Sequence, residues 1–151
     1  MLRTRSDREE EKRVVERAYE LLDFVGLTHR AGELACNLPY GEQRLLEIVR
    51  ALASQPKLIM LDEASAGMNS VEKDNLIRII RAISAEGITI LMIEHDMKLA
   101  MSLSDQITVL DHGAKIAEGL PQAIQTNQKV IEAYLGKGGV ARAKHAASEK
   151  S

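Results

Sequence analysis

The chain has 151 residues, of which 45% are hydrophobic and 3% aromatic, so it fits one domain whose core must be aliphatic. Its 20 basic and 22 acidic residues give a net charge of −2, which offers no electrostatic reason to bind nucleic acid. A single cysteine, Cys36, excludes an internal disulfide, and no apolar stretch approaches the roughly 20 residues that span a bilayer.

Two helices are predicted in the first third of the chain. The first follows a capping-box pattern at 6–9 and ends at Gly26. Its helical spacing predicts one inward face, formed by Val14, Val15, Ala18, Leu21, Leu22 and Val25. The second helix opens at 38–44 and ends near Pro56. Its predicted inward residues are Leu45, Leu46, Val49, Leu52 and Ala53.

Two short apolar runs follow, each of which ends in ionisable residues. The run at 58–61 is wholly apolar, which predicts a parallel strand buried on both faces, and it leads into Asp62 and Glu63. Asn69 or Ser70 caps the next predicted helix, whose Leu76, Ile80 and Ile83 recur at helical spacing until Gly87. A second strand at 88–93 then ends in Glu-His-Asp.

The sequence of the last third of the chain predicts shorter helices and strands. A short helix is expected around 97–103, and a hairpin is expected with its turn at 111–113. Small helices follow from Pro121 and over 130–135. From Lys137 onward the composition turns to Gly, Ala, Lys and Ser, which predicts a disordered tail.

The ordered set of motifs points to phosphate chemistry. It places a helix N-terminus, two adjacent carboxylates and an imidazole at the ends of helices and strands. Such positions commonly bind phosphate and Mg²⁺ and activate a water nucleophile. Each motif alone has an ordinary explanation: a loop before a helix, a solvated acidic pair, a structural histidine. Their order and spacing favour the functional interpretation.

On these residues the chain resembles the C-terminal part of an ATP-binding-cassette (ABC) ATPase. It is most similar to the subunits that power branched-chain amino-acid importers, from about Thr28 to Gly136. The matching segments are the signature motif at 38–44, the Walker B strand at 58–63, the D-loop at 66–69, the H-loop at 94–97 and the subfamily ending at 131–136.

The resemblance implies that the signature contacts the γ-phosphate held by the P-loop of an opposite subunit. Gly41 matches the family glycine, whereas Pro39 stands in place of the commonest serine and Tyr40 in place of the first glycine. The implied ATP-binding residues are Leu38, Pro39, Tyr40, Gly41, Glu42 and Gln43.

The resemblance also implies the catalytic roles and the cofactors, ATP and Mg²⁺. Asp62 would hold Mg²⁺ through water, Glu63 would polarise the attacking water, and His95 would contact the γ-phosphate. Ala64 replaces the usual proline after the glutamate. The D-loop residues are Ala66, Gly67, Met68 and Asn69, the last in place of a commoner aspartate.

No P-loop string G-x-x-x-x-G-K-[ST] occurs in the 151 residues, although 136–139 has similar letters. The expected fold class is therefore α/β: a partial P-loop NTPase sheet with part of the helical subdomain and a small C-terminal β/α extension. The expected organisation assigns 1–136 to the cassette, divided near 54/55 between the helical and signature region and the remainder, and 137–151 to the tail.

The leading functional expectation is an ABC ATP-binding subunit that couples ATP hydrolysis to branched-chain amino-acid import, although this chain alone is expected to be inactive. Its implied partners are a second ATP-binding subunit, arranged head to tail, and transmembrane permease subunits at the cytoplasmic face of the plasma membrane. One alternative is a non-catalytic truncated cassette that lends only its signature to a full-length ATPase. Another is a nucleic-acid-linked ABC ATPase, against which the mild acidity and the absence of a coiled-coil insertion argue.

Overall fold

The computed structural model describes residues 5–134, which form two compact units that divide between His95 and Asp96. The predicted tail at 137–151 and the last two residues of the 131–136 ending lie outside the described residues. The elements are α1 (Arg5–Phe24), α2 (Tyr40–Leu52), β1 (Leu58–Asp62), α3 (Ser70–Ala85), β2 (Thr89–Ile93), α4 (Met97–Leu103), β3 (Ile107–Asp111), β4 (Ala114–Gly119) and α5 (Pro121–Gln125). A further helical segment occupies 128–134.

The core of the first unit is built mainly from α2 and α3. Both helices bury residues at helical spacing, as their sequences predict. The buried apolar side chains of these helices are Leu45, Ile48, Val49, Leu52, Leu76, Ile79, Ile80 and Ile83. Two predicted inward residues of α2 are less buried: Leu46 is half-buried and Ala53 is exposed.

Strands β1 and β2 form a two-stranded parallel sheet, with Leu58 opposite Thr89 and Asp62 opposite Ile93. Parallel pairing brings the carboxyl ends of both strands to one edge, where the predicted ionisable residues follow. The prediction that β1 is buried on both faces is wrong for the described residues. Ile59 is buried, but Met60 is 68% exposed, because among residues 5–95 only one face of the sheet is covered.

The predicted inward face of α1 is confirmed only near its C-terminal end. Leu21 and Val25 are buried, whereas Val14 is 63% exposed and Val15 is also exposed. The described part of the first unit places no element over the first half of this helix. The prediction that Val14, Val15 and Ala18 face inward is therefore wrong for the described residues, because helical spacing identifies an apolar face but not whether another element packs against it.

The second unit contains α4, the β3–β4 hairpin and α5, and α5 packs against α4 and β4. The Asp96 side chain caps α4 by accepting from the amides of Lys98 and Leu99 at 3.0 and 3.2 Å. His112 and Gly113 form the predicted turn with φ of 47° and 79°, as a two-residue hairpin loop requires. No helix among residues 5–134 is long and apolar enough to cross a membrane.

Candidate functional site

The carboxyl ends of β1 and β2 bring a carboxylate and an imidazole together. Glu63 follows β1, His95 follows β2 by two residues, and Glu63 Oε1 lies 3.5 Å from His95 Nδ1. Both side chains are open to solvent, with exposed fractions of 55% for Glu63 and 71% for His95. An accessible carboxylate and imidazole at this separation can hydrogen-bond one water molecule and move a proton to or from it.

The direction of the Glu63 side chain is set by an unusual backbone conformation. Its φ is 46°, in the left-handed region that residues other than glycine rarely adopt. The Glu63 amide donates to the Ile93 carbonyl at 2.9 Å, and the Glu63 carbonyl accepts from the Ala66 amide at 3.0 Å. The first bond ties the turn after β1 to the end of β2, and the second closes the turn itself. Asp62, the last residue of β1, is exposed beside this turn.

The signature segment begins α2 without a side-chain cap. Pro39 is the N-cap residue and its side chain makes no capping hydrogen bond. The Gln43 side chain turns back to donate to the Leu38 carbonyl at 2.8 Å, and the Leu38 side chain is buried. The entry to α2 is therefore held by Leu38 and Gln43, and the N-cap side chain of Pro39 does not cap the first amides of the helix.

Tyr40 links the signature to the D-loop. Its hydroxyl accepts from Arg44 Nη2 at 2.6 Å, and the guanidinium lies 5.0 Å from the ring centroid. Hydrogen bonds to Glu47 and then to Tyr40 raise the pKa of Arg44, which is charged in any case. The ring also lies beside Gly67, which has a φ of 72° and where a Cβ atom would lie 3.2 Å from the ring. A bulky residue at 40 is compatible with glycine at 67.

Gly41 is buried against the N-terminus of α3. A Cβ atom at 41 would lie 2.7 Å from Glu72 Oε1. Glu72 is already engaged, because its Oε2 accepts from the Asn69 amide at 2.8 Å while Asn69 Oδ1 accepts from the Glu72 amide at 3.0 Å. This reciprocal capping box gives position 41 a packing reason to be glycine. The predicted approach of a phosphate to Gly41 stays a prediction.

Glu42 anchors the signature to the preceding loop. Arg30 Nε donates to Glu42 Oε2 at 3.0 Å, and Arg30 Nη1 donates to Glu33 Oε1 at 2.9 Å. The hydrogen bonds to Glu33 and then Glu42 raise the pKa of Arg30 further above its usual range. Glu42 therefore has a structural partner within the chain.

The sequence-predicted site falls into two groups of contacts. Glu63 meets His95 at the sheet edge, and Tyr40 and Gly41 meet the D-loop and its helix. Among the described residues, no hydrogen bond or ion pair joins the segment 38–43 to Asp62, Glu63 or His95. The structure thus positions each group without assembling them into one constellation.

Sequence reasoning assigned no structural role to three residues that hold these groups: Ser65, Glu72 and Glu94. The spacing of Asn69 and Glu72 is a readable capping-box signal, so Glu72 could have been found. Ser65 and Glu94 are hydrogen-bonded across 29 positions of sequence, and no local pattern indicates such a pair.

The donors at the sheet edge fit one mode of Mg²⁺ binding. Residues 5–134 contain no group of three or more His, Cys, Asp or Glu side chains that could enclose a metal ion. Magnesium is usually held by one or two carboxylates together with waters and substrate phosphates, and not by an all-protein cage. Asp62 and Glu63, adjacent and exposed, supply carboxylates of that kind.

Two family descriptions match the chain in non-overlapping segments. Residues 2–66 match the family described as ABC transporter, and residues 114–140 match the family described as branched-chain amino acid ATP-binding cassette transporter. The second match includes the hairpin strand β4 and α5.

Curated relatives match most of the chain. The high-affinity branched-chain amino acid transport ATP-binding proteins BraF of Pseudomonas aeruginosa and LivG of Escherichia coli K12 are each 44% identical over 138 residues, 91% of this chain and 54% of theirs. A probable LivG protein of Archaeoglobus fulgidus is 36% identical over 84% of this chain. The chain thus spans about half the length of the first two relatives.

Solved structures confirm the fold class. An ATP-binding cassette of an ABC transporter in its ADP conformation superposes with a TM-score of 0.75 at 33% identity, over 83% of this chain and 51% of that one. A nucleotide-free cassette gives a TM-score of 0.75 at 32% identity, with the same coverage. The α/β architecture predicted from the sequence is therefore that of part of an ABC cassette.

Proposed function

Since the chain is a member of the ABC transporter ATP-binding family, we propose that it acts in the ATP-binding component of an importer for branched-chain amino acids. The observation that carries this proposal is the pairing of Glu63 with His95 at the ends of adjacent parallel strands. The substrate class is supported by the second family match and by the names of the curated relatives.

Each site residue has a chemical task in this proposal. Glu63 accepts a hydrogen bond from the attacking water and draws its proton away, while His95 orients the same water or a phosphate oxygen. Asp62 holds Mg²⁺ through water, and the ion supplies charge neutralisation on the phosphates. The uncapped N-terminus of α2 provides amides and a positive dipole end for the γ-phosphate bound to a second subunit.

The phosphate cradle has to come from sequence other than these 151 residues, because they contain no P-loop string. In the leading proposal another segment completes the site that contains Glu63. In the second candidate the chain docks on a full-length ATPase and contributes only its signature. The second candidate is favoured by the contacts that hold the signature segment within this chain, through Leu38, Gly41 and Glu42.

Replacing Glu63 separates these two candidates. The experiment co-purifies this chain with a full-length subunit of the family and measures ATP hydrolysis when only this chain carries a substitution. Glu63→Gln should lower turnover by about 10²–10⁴-fold if Glu63 acts in catalysis. The same substitution should leave turnover unchanged if only the signature is used, whereas Gly41→Asp should then lower it by about 10²–10³-fold. Unchanged turnover with both variants would contradict both candidates.

Glu72→Ala is the matched control for Gly41→Asp. It disturbs the capping box that Gly41 contacts without adding a side chain at the helix N-terminus. If Glu72→Ala lowers turnover as much as Gly41→Asp does, the Gly41 effect reflects the packing of that corner and not the exclusion of phosphate. Normal turnover with Glu72→Ala would support the phosphate role.

A further inference from the structure

Glu94 makes a two-oxygen contact with the turn that follows β1. Its Oε1 accepts from the Ser65 amide at 3.0 Å and its Oε2 accepts from the Ser65 hydroxyl at 3.0 Å. Ser65 is 2% exposed, the only buried polar residue of the described chain, and Glu94 is half-buried. Hydrogen bonds to an ionised acceptor are stronger than neutral ones, and partial burial protects them from competition by water.

This contact lies on the strained part of the candidate site. Glu63, with its left-handed backbone, stands two residues before Ser65, and His95 directly follows Glu94. A non-glycine residue persists in that conformation only where its surroundings determine it. Ala64 adds no restriction of its own, because it lacks the ring by which proline fixes φ. The bonds around the turn must therefore supply the restraint.

We propose that Glu94 is a positioning residue that holds the Glu63 backbone in its left-handed conformation through Ser65, and thereby places the Glu63 carboxylate beside His95. The contact joins the same two strand ends as the bond from the Glu63 amide to the Ile93 carbonyl. With both links present, the turn cannot rotate away from β2 without breaking one of them. The catalytic consequence rests on the proposed function, but the conformational consequence does not.

The test is nuclear magnetic resonance of the labelled 151-residue chain with Glu94→Ala, Glu94→Gln or the control Glu86→Ala. A left-handed residue gives a strong contact signal between its own amide and α protons, so Glu63 reports its conformation directly. Glu94→Ala should weaken this signal, shift the His95 ring resonances and speed hydrogen exchange at the Glu63 amide by roughly tenfold or more. The Leu76 amide in the core of α3 should exchange as before.

Glu94→Gln provides the rescue, because a glutamine side chain can accept from the Ser65 amide and donate to the Ser65 hydroxyl. It should restore the Glu63 signal and slow its exchange, and Glu86→Ala, at an exposed glutamate after α3, should change neither. If Glu94→Ala does not fold, Ser65→Ala removes only the hydroxyl bond and should give a smaller shift in the same direction.

Two results would overturn the proposal. One is an unchanged Glu63 signal and exchange rate in Glu94→Ala. The other is an equal increase in the hydrogen-exchange rates of the Glu63 and Leu76 amides, which would mean that Glu94 stabilises the whole unit and does not specifically position Glu63. Neither readout requires ATP turnover, so failure of this proposal is distinguishable from failure of the proposed function.

Discussion

Two regions of the first unit differ in how much of their surface is covered by other residues of the chain. Where the start of α2 meets the start of α3, buried Gly41 lies against a reciprocal capping box, and Glu42 is bonded to Arg30. The β1–β2 sheet instead presents apolar side chains to solvent on one face: Leu58, Met60, Leu91 and Ile93 are 48%, 68%, 51% and 59% exposed. The signature region is thus held by contacts within the chain, whereas the parallel sheet has one apolar face uncovered among the described residues.

The largest expected effect concerns catalysis by the isolated chain. Although its signature corner is well held, the purified chain should not hydrolyse ATP, because no P-loop amides or lysine hold the β- and γ-phosphates. Phosphate release should equal that of a Glu63→Gln sample prepared in the same way. Turnover that the Glu63→Gln change abolishes would contradict this prediction.

A pair of alanine substitutions tests whether the two regions differ in stability. Leu76 on α3 is fully buried, so Leu76→Ala should lower the free energy of unfolding by about 2–5 kcal/mol. Met60→Ala on the open sheet face should change it by less than about 0.5 kcal/mol. Denaturant titration of both variants gives the comparison, and similar losses would mean that the Met60 face is covered in solution.

Measuring self-association tests whether the exposed apolar face of the β1–β2 sheet mediates contacts between copies of the chain. Met60 and Leu91 are opposite one another in the register, so Met60→Lys with Leu91→Glu places a charge pair on this face. The free chain is expected to self-associate, and the double variant should weaken association by about tenfold because it replaces apolar contact area. Sedimentation velocity over a range of concentrations measures this.

Val14→Lys is the control for that experiment, since it charges an exposed apolar residue on α1. It should leave association unchanged if the sheet face is the adhesive surface. A chain that is monomeric at every concentration, with a sharp cooperative thermal transition, would show that the open face needs no partner.

The smallest expected effect is the coupling free energy between positions 41 and 72. Gly41→Ala should be less favourable by about 1 kcal/mol with Glu72 present than in a Glu72→Ala background, because the new methyl group displaces the capping carboxylate. A thermodynamic double-mutant cycle from denaturant unfolding gives this coupling. A coupling of zero would show that Glu72 moves aside freely and that packing does not explain the glycine.

Local patterns predicted the elements of this chain well. Helical spacing identified three buried residues of α3, Leu76, Ile80 and Ile83, but not Ile79. A polar N-cap at Asn69 or Ser70 marked the start of α3, and Asp-His-Gly marked the turn between β3 and β4. These predictions succeed because capping, turn conformation and amphipathic spacing depend on residues that are close in sequence. Burial was predicted less well: Val15 and Met60 are apolar and exposed.

The sequence by itself determined the order of the motifs, and with it the family and the identity of Asp62, Glu63 and His95 as candidate site residues. Only the tertiary structure decided which groups surround the turn after Glu63 and what a side chain at position 41 would meet. Both depend on partners distant in sequence, Glu94 for Ser65 and Glu72 for Gly41, that meet only when strands and helices pack. Local sequence patterns cannot predict such pairs, because the two residues of each pair are distant in sequence and come into contact only when the chain folds.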